Sequence, residues 1–317
     1  MARVEKKKIL IVGGNGFIGS WLSNLLKSSC RVISFDIQKK FSSYPEEKAA
    51  RIMEFRKKLL KGVKQYKGDI RNFSLFSRIL NNEKPNVIVC LSSIPIEGFP
   101  DENLQLETEV MGISNILRAN KELDAKVVFM SSLFAIGHFD HAVTENSHLA
   151  PVTNYGIGKA TGEHLVRTFA KKYGIIRTTS LYGLGDVINR APQIIMERAL
   201  EGGDKNLWIN KAPLLDFIYV KDLVEGIKRV IFHKNNETFN ISGGKALTLI
   251  DFVKTVESCT GKKIDYEVRS VNDRTRRGTL VNDKARLVLN WQPRYDLASG
   301  IKETLRLYHE HILTKKI

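Results

Sequence analysis

Tyr155 and Lys159 stand four residues apart in the segment NYGIGKATGEH, whose apolar spacing predicts a helix. Residues at i and i+4 share one face of a helix, so the phenol and the ammonium should lie side by side. A neighbouring cation favours phenolate over phenol, which would make Tyr155 an acid/base for a substrate oxygen. Taken alone, the spacing Y-x-x-x-K is also that of an ordinary surface pair.

Two hydroxyls end a nearby predicted strand. The run KVVFMSS finishes in Ser131 and Ser132, and ligands of open α/β sheets bind at the carboxyl ends of the strands. A hydroxyl at this edge would orient the substrate oxygen toward Tyr155.

A glycine-rich turn supplies a third feature. Gly13, Gly16 and Gly19 fit G-x-x-G-x-x-G between an aliphatic strand and a helix, where bare backbone and the helix dipole meet a pyrophosphate. The next strand, RVISFD, ends in Asp36, where a carboxylate takes both hydroxyls of the adenosine ribose and repels a 2′-phosphate. The pattern therefore predicts NAD in preference to NADP. The alternative is a ligand-free turn with a solvated aspartate.

The elements that must position these residues alternate along the chain. Short aliphatic runs predict buried parallel strands, and amphipathic segments between them predict covering helices. They are KILIVG, RVISFD, VKQYKGD, NVIVCLS, KVVFMSS and GIIRTTSLYG, with helices in GSWLSNLLKSS, NFSLFSRILNN, TEVMGISNILRANKEL and YGIGKATGEHLVRTFAKKYG. The fold class is therefore α/β, a doubly wound parallel sheet.

The rhythm becomes irregular after about residue 180, which predicts a smaller α/β lobe behind the first. We expect an NAD-binding domain over residues 1–180, to which residues 214–234 return, and a substrate-binding lobe over residues 181–317. The crevice between the lobes is the expected ligand site.

Composition narrows the class of protein. The 317 residues are 43% hydrophobic, enough for a full core, and no run predicts a signal peptide or a membrane span. Three scattered cysteines without a CxxC argue against disulfides and zinc and favour the reducing cytoplasm. The net charge of +16 is explained by a solvated surface or by attraction of anionic ligands. Nucleic-acid binding is the weaker alternative, because the basic patch over residues 51–71 lacks interleaved exposed aromatics.

These motifs, in this order, resemble the extended short-chain dehydrogenase/reductase family, in its nucleotide-sugar epimerase and dehydratase branch. GGNGFIG resembles its opening signature, GDIRN its adenine-side loop, VIVCLSS its fourth strand, and SSLFAIG with YGIGK its catalytic pair. LDFIYVKDLVEGI, FNISGGKALTL and DKARLVLNWQPRYDLASGIKETL resemble its substrate-side segments. The resemblance covers nearly the whole chain.

The resemblance implies roles for individual residues. It makes Ser132, Tyr155 and Lys159 the catalytic set, with Lys159 also holding the nicotinamide ribose. The implied NAD contacts are Gly13, Gly16, Phe17, Ile18, Gly19, Asp36, Asp69, Ile70, Leu91, Ser92, Ser93, Tyr155 and Lys159. It also implies a homodimer formed by two helices, one over residues 107–123 and one beginning at Tyr155. The apolar residues Leu165, Val166 and Phe169 recur at helical steps on the second helix; burial against the chain's own sheet is the alternative explanation for them.

Several positions depart from the family pattern. Leu215 stands where an arginine usually meets the substrate diphosphate, Ser180 replaces the asparagine of N-V-Y-G, and Glu109 replaces the asparagine of N-V-x-G. One of the arginines Arg269, Arg274, Arg276 and Arg277 is expected to compensate for Leu215, the alternative being a solvated basic loop. The candidate substrate contacts are therefore Ser132, Ser180, Arg269 and Arg274.

The expected activity is NAD-dependent oxidation or reduction at a sugar hydroxyl, C4, of a nucleoside-diphosphate sugar. Dehydratases of the family follow the catalytic hydroxyl with Asp-Glu, whereas Leu133-Phe134 follow Ser132, so dehydration is disfavoured. A 4-epimerase and a net dehydrogenase or ketoreductase both remain open. So do a ketoreductase of a non-nucleotide substrate and a non-catalytic nucleotide- or RNA-binding relative. No metal is expected, because His138 and His141 lack a neighbouring third ligand.

Overall fold

Seven parallel strands form the central sheet in the part of the chain that the structure describes. The computed structural model describes residues 6–38, 42–94, 101–202, 207–210, 214–269 and 277–313. The strands of the sheet are β1 (Lys8–Val12), β2 (Arg31–Asp36), β3 (Lys64–Lys67), β4 (Val87–Cys90), β5 (Lys126–Met130), β6 (Tyr173–Thr178) and β10 (Glu237–Ile241). Their order is β10-β6-β5-β4-β1-β2-β3. The predicted doubly wound fold is confirmed.

Helices cover both faces of this sheet. The helices of the described chain are α1 (Phe17–Leu26), α2 (Glu46–Leu59), α3 (Phe73–Glu83), α4 (Glu102–Ala119), α5 (Asn154–Phe169), α6 (Ala191–Glu201), α7 (Val220–Phe232), α8 (Leu249–Thr260), α9 (Asp283–Leu289) and α10 (Leu297–Tyr308). Short segments of other helix types occupy Leu133–Ala135 and His309–Leu313.

Alternate residues of the strands supply two separate cores. Ile9 and Ile11 of β1 join the core that α1, α2 and α7 cover, whereas Leu10 and Val12 join the core under α3, α4 and α5. Because successive strand residues point to opposite faces, a strand buried on both faces is aliphatic throughout. This arrangement explains why β1 and β4 read as continuous apolar runs.

The edge strand β3 departs from the prediction of a buried strand. Lys64 and Lys67 are exposed on it, and its only partner within the described sheet is β2. Lysines on an edge strand oppose pairing with another chain, so their charge suits this position. The helix α2 was not predicted from the sequence; it buries Ile52, Phe55 and Arg56 in a heavily charged segment.

The segment GIIRTTSLYG divides into two strands that belong to different sheets. β6 remains in the central sheet, and β7 (Ser180–Tyr182) joins a three-stranded sheet in the order β11-β9-β7, with β9 at Leu214–Tyr219 and β11 at Ala246–Thr248. Two hydroxyls secure the division, since Thr178 Oγ1 donates to Ile241 O and Thr179 Oγ1 donates to Asp216 O, at 2.8 and 2.6 Å.

Later parts of the chain return to the central sheet. α7 packs against α1, and β10 extends the sheet beside β6. A small sheet of β8 (Trp208–Asn210) and β12 (Glu267–Arg269) lies apart from it. None of the helices in the described ranges has the length and apolar character needed to cross a membrane.

Candidate active site

A cavity of about 980 Å³ opens at the carboxyl ends of the parallel strands. The residues that directly follow these strands line it, among them Gly13 after β1, Leu91 after β4 and Ser131 after β5. Ser180, Leu215 and other residues from the later part of the chain close its opposite side. The volume is at the upper end of the range for ligand sites, as a site for two ligands requires.

The glycine turn has the geometry of a backbone cradle. Gly13 has φ of +81°, and a Cβ there would lie 2.8 Å from Ser92 N, so the turn needs glycine for conformation and for space. A Cβ on Gly19 would lie 2.3 Å from Gly13 O, which places the start of α1 directly against the turn. Gly16 caps α1 without any side-chain hydrogen bond, and it lines the cavity with Phe17 and Ile18. The backbone here fits a pyrophosphate.

Asp36 lies at the end of β2 with its carboxylate fixed by backbone amides. Asn15 N donates to Oδ2 at 3.0 Å and Gln38 N donates to Oδ1 at 2.7 Å. Burial raises the pKa of Asp36, while the two amides and the nearby Arg56 oppose that rise. Each carboxylate oxygen retains a lone pair for a further donor, which suits two vicinal hydroxyls.

The other predicted cofactor contacts line the same end of the cavity. Asp69 and Ile70 follow β3, and Leu91, Ser92 and Ser93 follow β4. Arg71 donates to the Asp69 carboxylate at 2.7 Å and holds the pKa of Asp69 below its usual range. The structure therefore brings all of the residues predicted to contact NAD to one cavity; their individual roles stay predictions.

The two serines after β5 have different partners. Ser131 Oγ donates to Glu163 Oε1 at 2.6 Å, and Glu163 is in turn bonded to Arg177 at 2.8 Å, so this hydroxyl is committed to the protein interior. Ser132 Oγ accepts a longer bond of 3.3 Å from Phe134 N at the start of the short helical turn. Of the two, Ser132 retains its hydroxyl proton for a ligand; its catalytic role stays a prediction.

Tyr155 and Lys159 come together on the first turns of α5. Thr153 caps this helix by accepting from Gly156 N at 3.1 Å, which fixes where the helix begins. Lys159 Nζ lies 5.3 Å from the centre of the Tyr155 ring, and the Phe134 and Tyr155 rings form a T-shaped pair with their centres 5.5 Å apart. Both Tyr155 and Lys159 line the cavity, beside Ser132.

Lys159 is paired with Glu109, one of the residues that depart from the family pattern. Its Nζ lies 2.8 Å from Glu109 Oε2, and the side chains are 2% and 1% exposed. Burial lowers and Glu109 raises the pKa of Lys159, and the net effect is a raised pKa. Lys159 is therefore a fixed cation.

The predicted substrate residues divide between two places. Ser180 lines the cavity beside Leu215 and Phe217. Arg269 does not: it lies on the exposed strand β12, paired with Glu267 at 2.7 Å. Arg274 and Arg276 lie outside the described residues. Arg277 does line the cavity, with its guanidinium carbon 3.8 Å from the centre of the Phe134 ring.

A further arginine at the cavity was missed from the sequence. Arg190 precedes α6, lines the cavity and forms an ion pair with Asp186. No motif marks it, because its place depends on how the irregular segment after residue 182 folds back.

For metal binding, the described ranges contain no group of three or more His, Cys, Asp and Glu side chains arranged to hold an ion.

Comparison with known proteins gives the chain a family. The model of the NAD dependent epimerase/dehydratase family matches residues 9–242. The chain is similar to dTDP-glucose 4,6-dehydratase 1 of Escherichia coli strain K12, with 24% identity covering 95% of this chain and 92% of the relative. It is also similar to UDP-glucose 4-epimerase of Lactobacillus helveticus, with 25% identity covering 96% and 97%.

The fold is shared with solved structures. UDP-glucuronic acid 4-epimerase of Bacillus cereus, in complex with UDP-glucuronic acid and NAD, superposes with a TM-score of 0.84 over 96% of this chain and 99% of that one. The sequence identity is 23%, so this likeness establishes the architecture and leaves the substrate to be argued from the site.

Proposed function

The chain belongs to the NAD dependent epimerase/dehydratase family, and from this membership we propose that it uses NAD to oxidise, reversibly, the C4 hydroxyl of a nucleoside-diphosphate sugar. The observation that carries the proposal is the convergence of Ser132, Tyr155 and Lys159 on the cavity that the glycine turn and Asp36 also line.

The residues divide the chemistry between them. Tyr155 accepts the proton of the sugar hydroxyl as its carbon gives up a hydride, and Lys159 favours the phenolate form of the tyrosine. Ser132 donates a hydrogen bond to the same oxygen and holds it in line. NAD, when bound, would supply the hydride acceptor, and Lys159 and Asp36 would hold its two riboses. For 4-epimerisation, bound NAD would return the hydride to the other face of C4, and Tyr155 returns the proton to the same oxygen.

The two positions after Ser132, where dehydratases of the family carry the acid and base that eliminate water, hold no carboxylates in this chain. Leu133 is buried and Phe134 packs against Tyr155. The carboxylates among the described cavity residues are Asp36, Asp69 and Asp186, and the last two are paired with arginines. This supports 4-epimerisation or a simple redox change over dehydration.

Recognition of the diphosphate falls to Arg277 in this proposal. Leu215 cannot bind an anion, and an unpartnered buried diphosphate would be costly. Arg277 lines the cavity and stacks on Phe134, which in turn contacts Tyr155, so its charge lies close to the reacting end of the site. Arginine recognises phosphate through two parallel hydrogen bonds, which lysine cannot provide.

The proposal keeps the predicted domains: an NAD-binding domain over residues 1–180, to which residues 214–234 return, and a substrate-binding lobe over residues 181–317.

The proposal also includes a homodimer. Val166 is buried in the chain's own core, but Phe169 is 66% exposed, and Met111 on α4 and Ile157 on α5 are 49% and 42% exposed. We propose that these exposed apolar residues cover one another between two copies. Sedimentation at micromolar concentration tests this, and a monomer would refute it.

The activity is tested by incubating purified protein with NAD and a panel of nucleoside-diphosphate sugars and resolving the products by mass and by NMR. An epimerase interconverts two sugars of equal mass without an added electron acceptor, whereas a net redox enzyme requires one. Turnover of carbonyl compounds without a nucleotide, or RNA retention without turnover, would replace the proposal with those functions.

A further inference from the structure

The buried carboxylate of Glu109 accepts from two donors, one of which is the catalytic Lys159. Lys159 Nζ approaches Oε2 at 2.8 Å, and Ser93 Oγ donates to Oε1. Glu109 is buried on α4 and does not line the cavity, so it acts behind the lysine. Gly158 on α5 permits this approach, because a Cβ there would lie 2.7 Å from Glu109 Cβ.

The titratable groups around Lys159 come from three elements. α4 contributes Glu109, α5 contributes Tyr155, and β4 contributes Cys90, whose pKa burial raises to about 11. The ring of Phe129 on β5 lies 5.4 Å from Lys159 Nζ and adds no titratable group. With the thiol neutral, the charges of this set at neutral pH are the ammonium and the Glu109 carboxylate. Outside the set, the Arg277 guanidinium stacks on the Phe134 ring that contacts Tyr155 and adds one further cation near the phenol.

We propose that Glu109 is a positioning residue that neutralises Lys159, so that Tyr155 yields its proton at a higher pH than it would beside a lysine without a carboxylate partner. The inference rests on the proposed function for the role of Tyr155, although it concerns the charge of the cofactor-free protein as well.

The physical reason lies in the net charge of the buried set. With Glu109 ionised, the set is neutral while Tyr155 is a phenol, and loss of one proton leaves a net negative charge in a poorly solvated place. With an amide at position 109, the set begins at +1 and loss of one proton brings it to zero, which burial favours. The first deprotonation of the coupled set therefore moves to lower pH when the carboxylate is removed.

The pair also restricts the direction of the lysine. An ammonium has three donors, and one of them points at Glu109. Two remain for the tyrosine oxygen and for a ribose hydroxyl of the cofactor. Glu109 thus fixes the lysine in one orientation before any ligand arrives.

The test is the ultraviolet difference titration of the phenolate of Tyr155 in cofactor-free protein. The titration of the Tyr155→Phe variant is subtracted from that of the unmutated protein, which isolates one tyrosine. The same subtraction is made in a Glu109→Gln background. We expect the midpoint in that background to be lower by about one pH unit or more, the effect of removing one charge from a buried site.

A matched control is Glu107→Gln on the same helix. Glu107 is half-exposed and pairs with Arg71 at 3.0 Å, so its loss should leave the midpoint unchanged. Should Glu109→Gln not fold, Glu109→Asn removes the same charge with a shorter amide and should shift the midpoint in the same direction. The low-pH limb of kcat/KM with substrate should follow the titration.

An unchanged or raised midpoint in the folded amide variant overturns the inference, whatever the activity. A lowered midpoint supports it even if no sugar nucleotide is turned over, and that second result would count against the proposed function alone. The two proposals therefore fail separately.

Discussion

The two ends of the cavity differ in the kind of group that lines them. Within residues 6–94, the cofactor end relies on backbone groups, namely a positive-φ glycine and a helix N-terminus, and on the Asp36 carboxylate, which two backbone amides fix in place. The opposite end is formed by side chains from distant segments, with Leu215 and Phe217 beside Arg190 and Arg277.

This difference explains why the two ends depart to different degrees from the family pattern. A backbone cradle requires particular residues at fixed spacing, since a Cβ on Gly13 or Gly19 would collide with other backbone atoms. An anion can be neutralised by an arginine from any segment that reaches it. The substrate end can therefore exchange its residues while the cofactor end keeps them.

The largest expected effect belongs to Tyr155, which lies between the two ends. Tyr155→Phe removes the acid/base oxygen and keeps the ring against Phe134, so kcat should fall by about 10²- to 10⁴-fold while NAD binding persists. Steady-state kinetics and cofactor titration measure the two quantities. As a control, Tyr173→Phe at the far end of β6, outside the cavity lining, should be near normal. Near-normal turnover of Tyr155→Phe would remove this residue from its role.

Next in size is the effect of removing a cation from the substrate end. Arg277→Ala should raise the KM for the nucleotide sugar by about 10- to 100-fold, because a charged hydrogen-bond partner of the diphosphate is lost, with NAD affinity unchanged. Arg269→Ala is the matched control: Arg269 is exposed and paired with Glu267, and it should have little effect. If both variants keep the normal KM, the diphosphate is bound elsewhere or the substrate has none.

A smaller effect is expected at the cofactor end. NAD should bind more tightly than NADP, and Asp36→Ala should narrow the ratio of their dissociation constants by about tenfold or more, because the variant no longer repels the 2′-phosphate. Fluorescence titration with both reduced cofactors gives this ratio. Equal affinities in the unmutated protein would contradict the role of Asp36.

The success of prediction from the sequence also differs between the two ends of the cavity. The strands β1, β2, β4 and β5 and the doubly wound sheet were predictable, because aliphatic runs buried on both faces have no other simple explanation. α2 was not, since fourteen residues rich in charge hide the buried face of Ile52 and Phe55. The cavity placement of the glycine turn and of Asp36 followed from local spacing.

Contacts between remote segments were beyond the reach of such patterns. Nothing in the sequence distinguishes Arg277, which stacks on Phe134, from Arg269, which pairs locally with Glu267. Glu109 was visible as an unusual residue, but its bond to Lys159 depends on the close approach of α4 and α5 at Gly158. Packing of that kind is decided by tertiary structure.

The central claim, hydride removal at C4 of a nucleoside-diphosphate sugar, is tested most directly with a substrate that carries deuterium at C4. The purified protein is incubated with NAD and the labelled sugar, and the deuterium is followed by mass spectrometry and NMR. We expect the label to pass to the nicotinamide and, in an epimerase, to reappear at C4 of the epimer, with both transfers slowed in Tyr155→Phe by the same factor as kcat. Turnover of the sugar in which the C4 deuterium is never transferred would contradict the account.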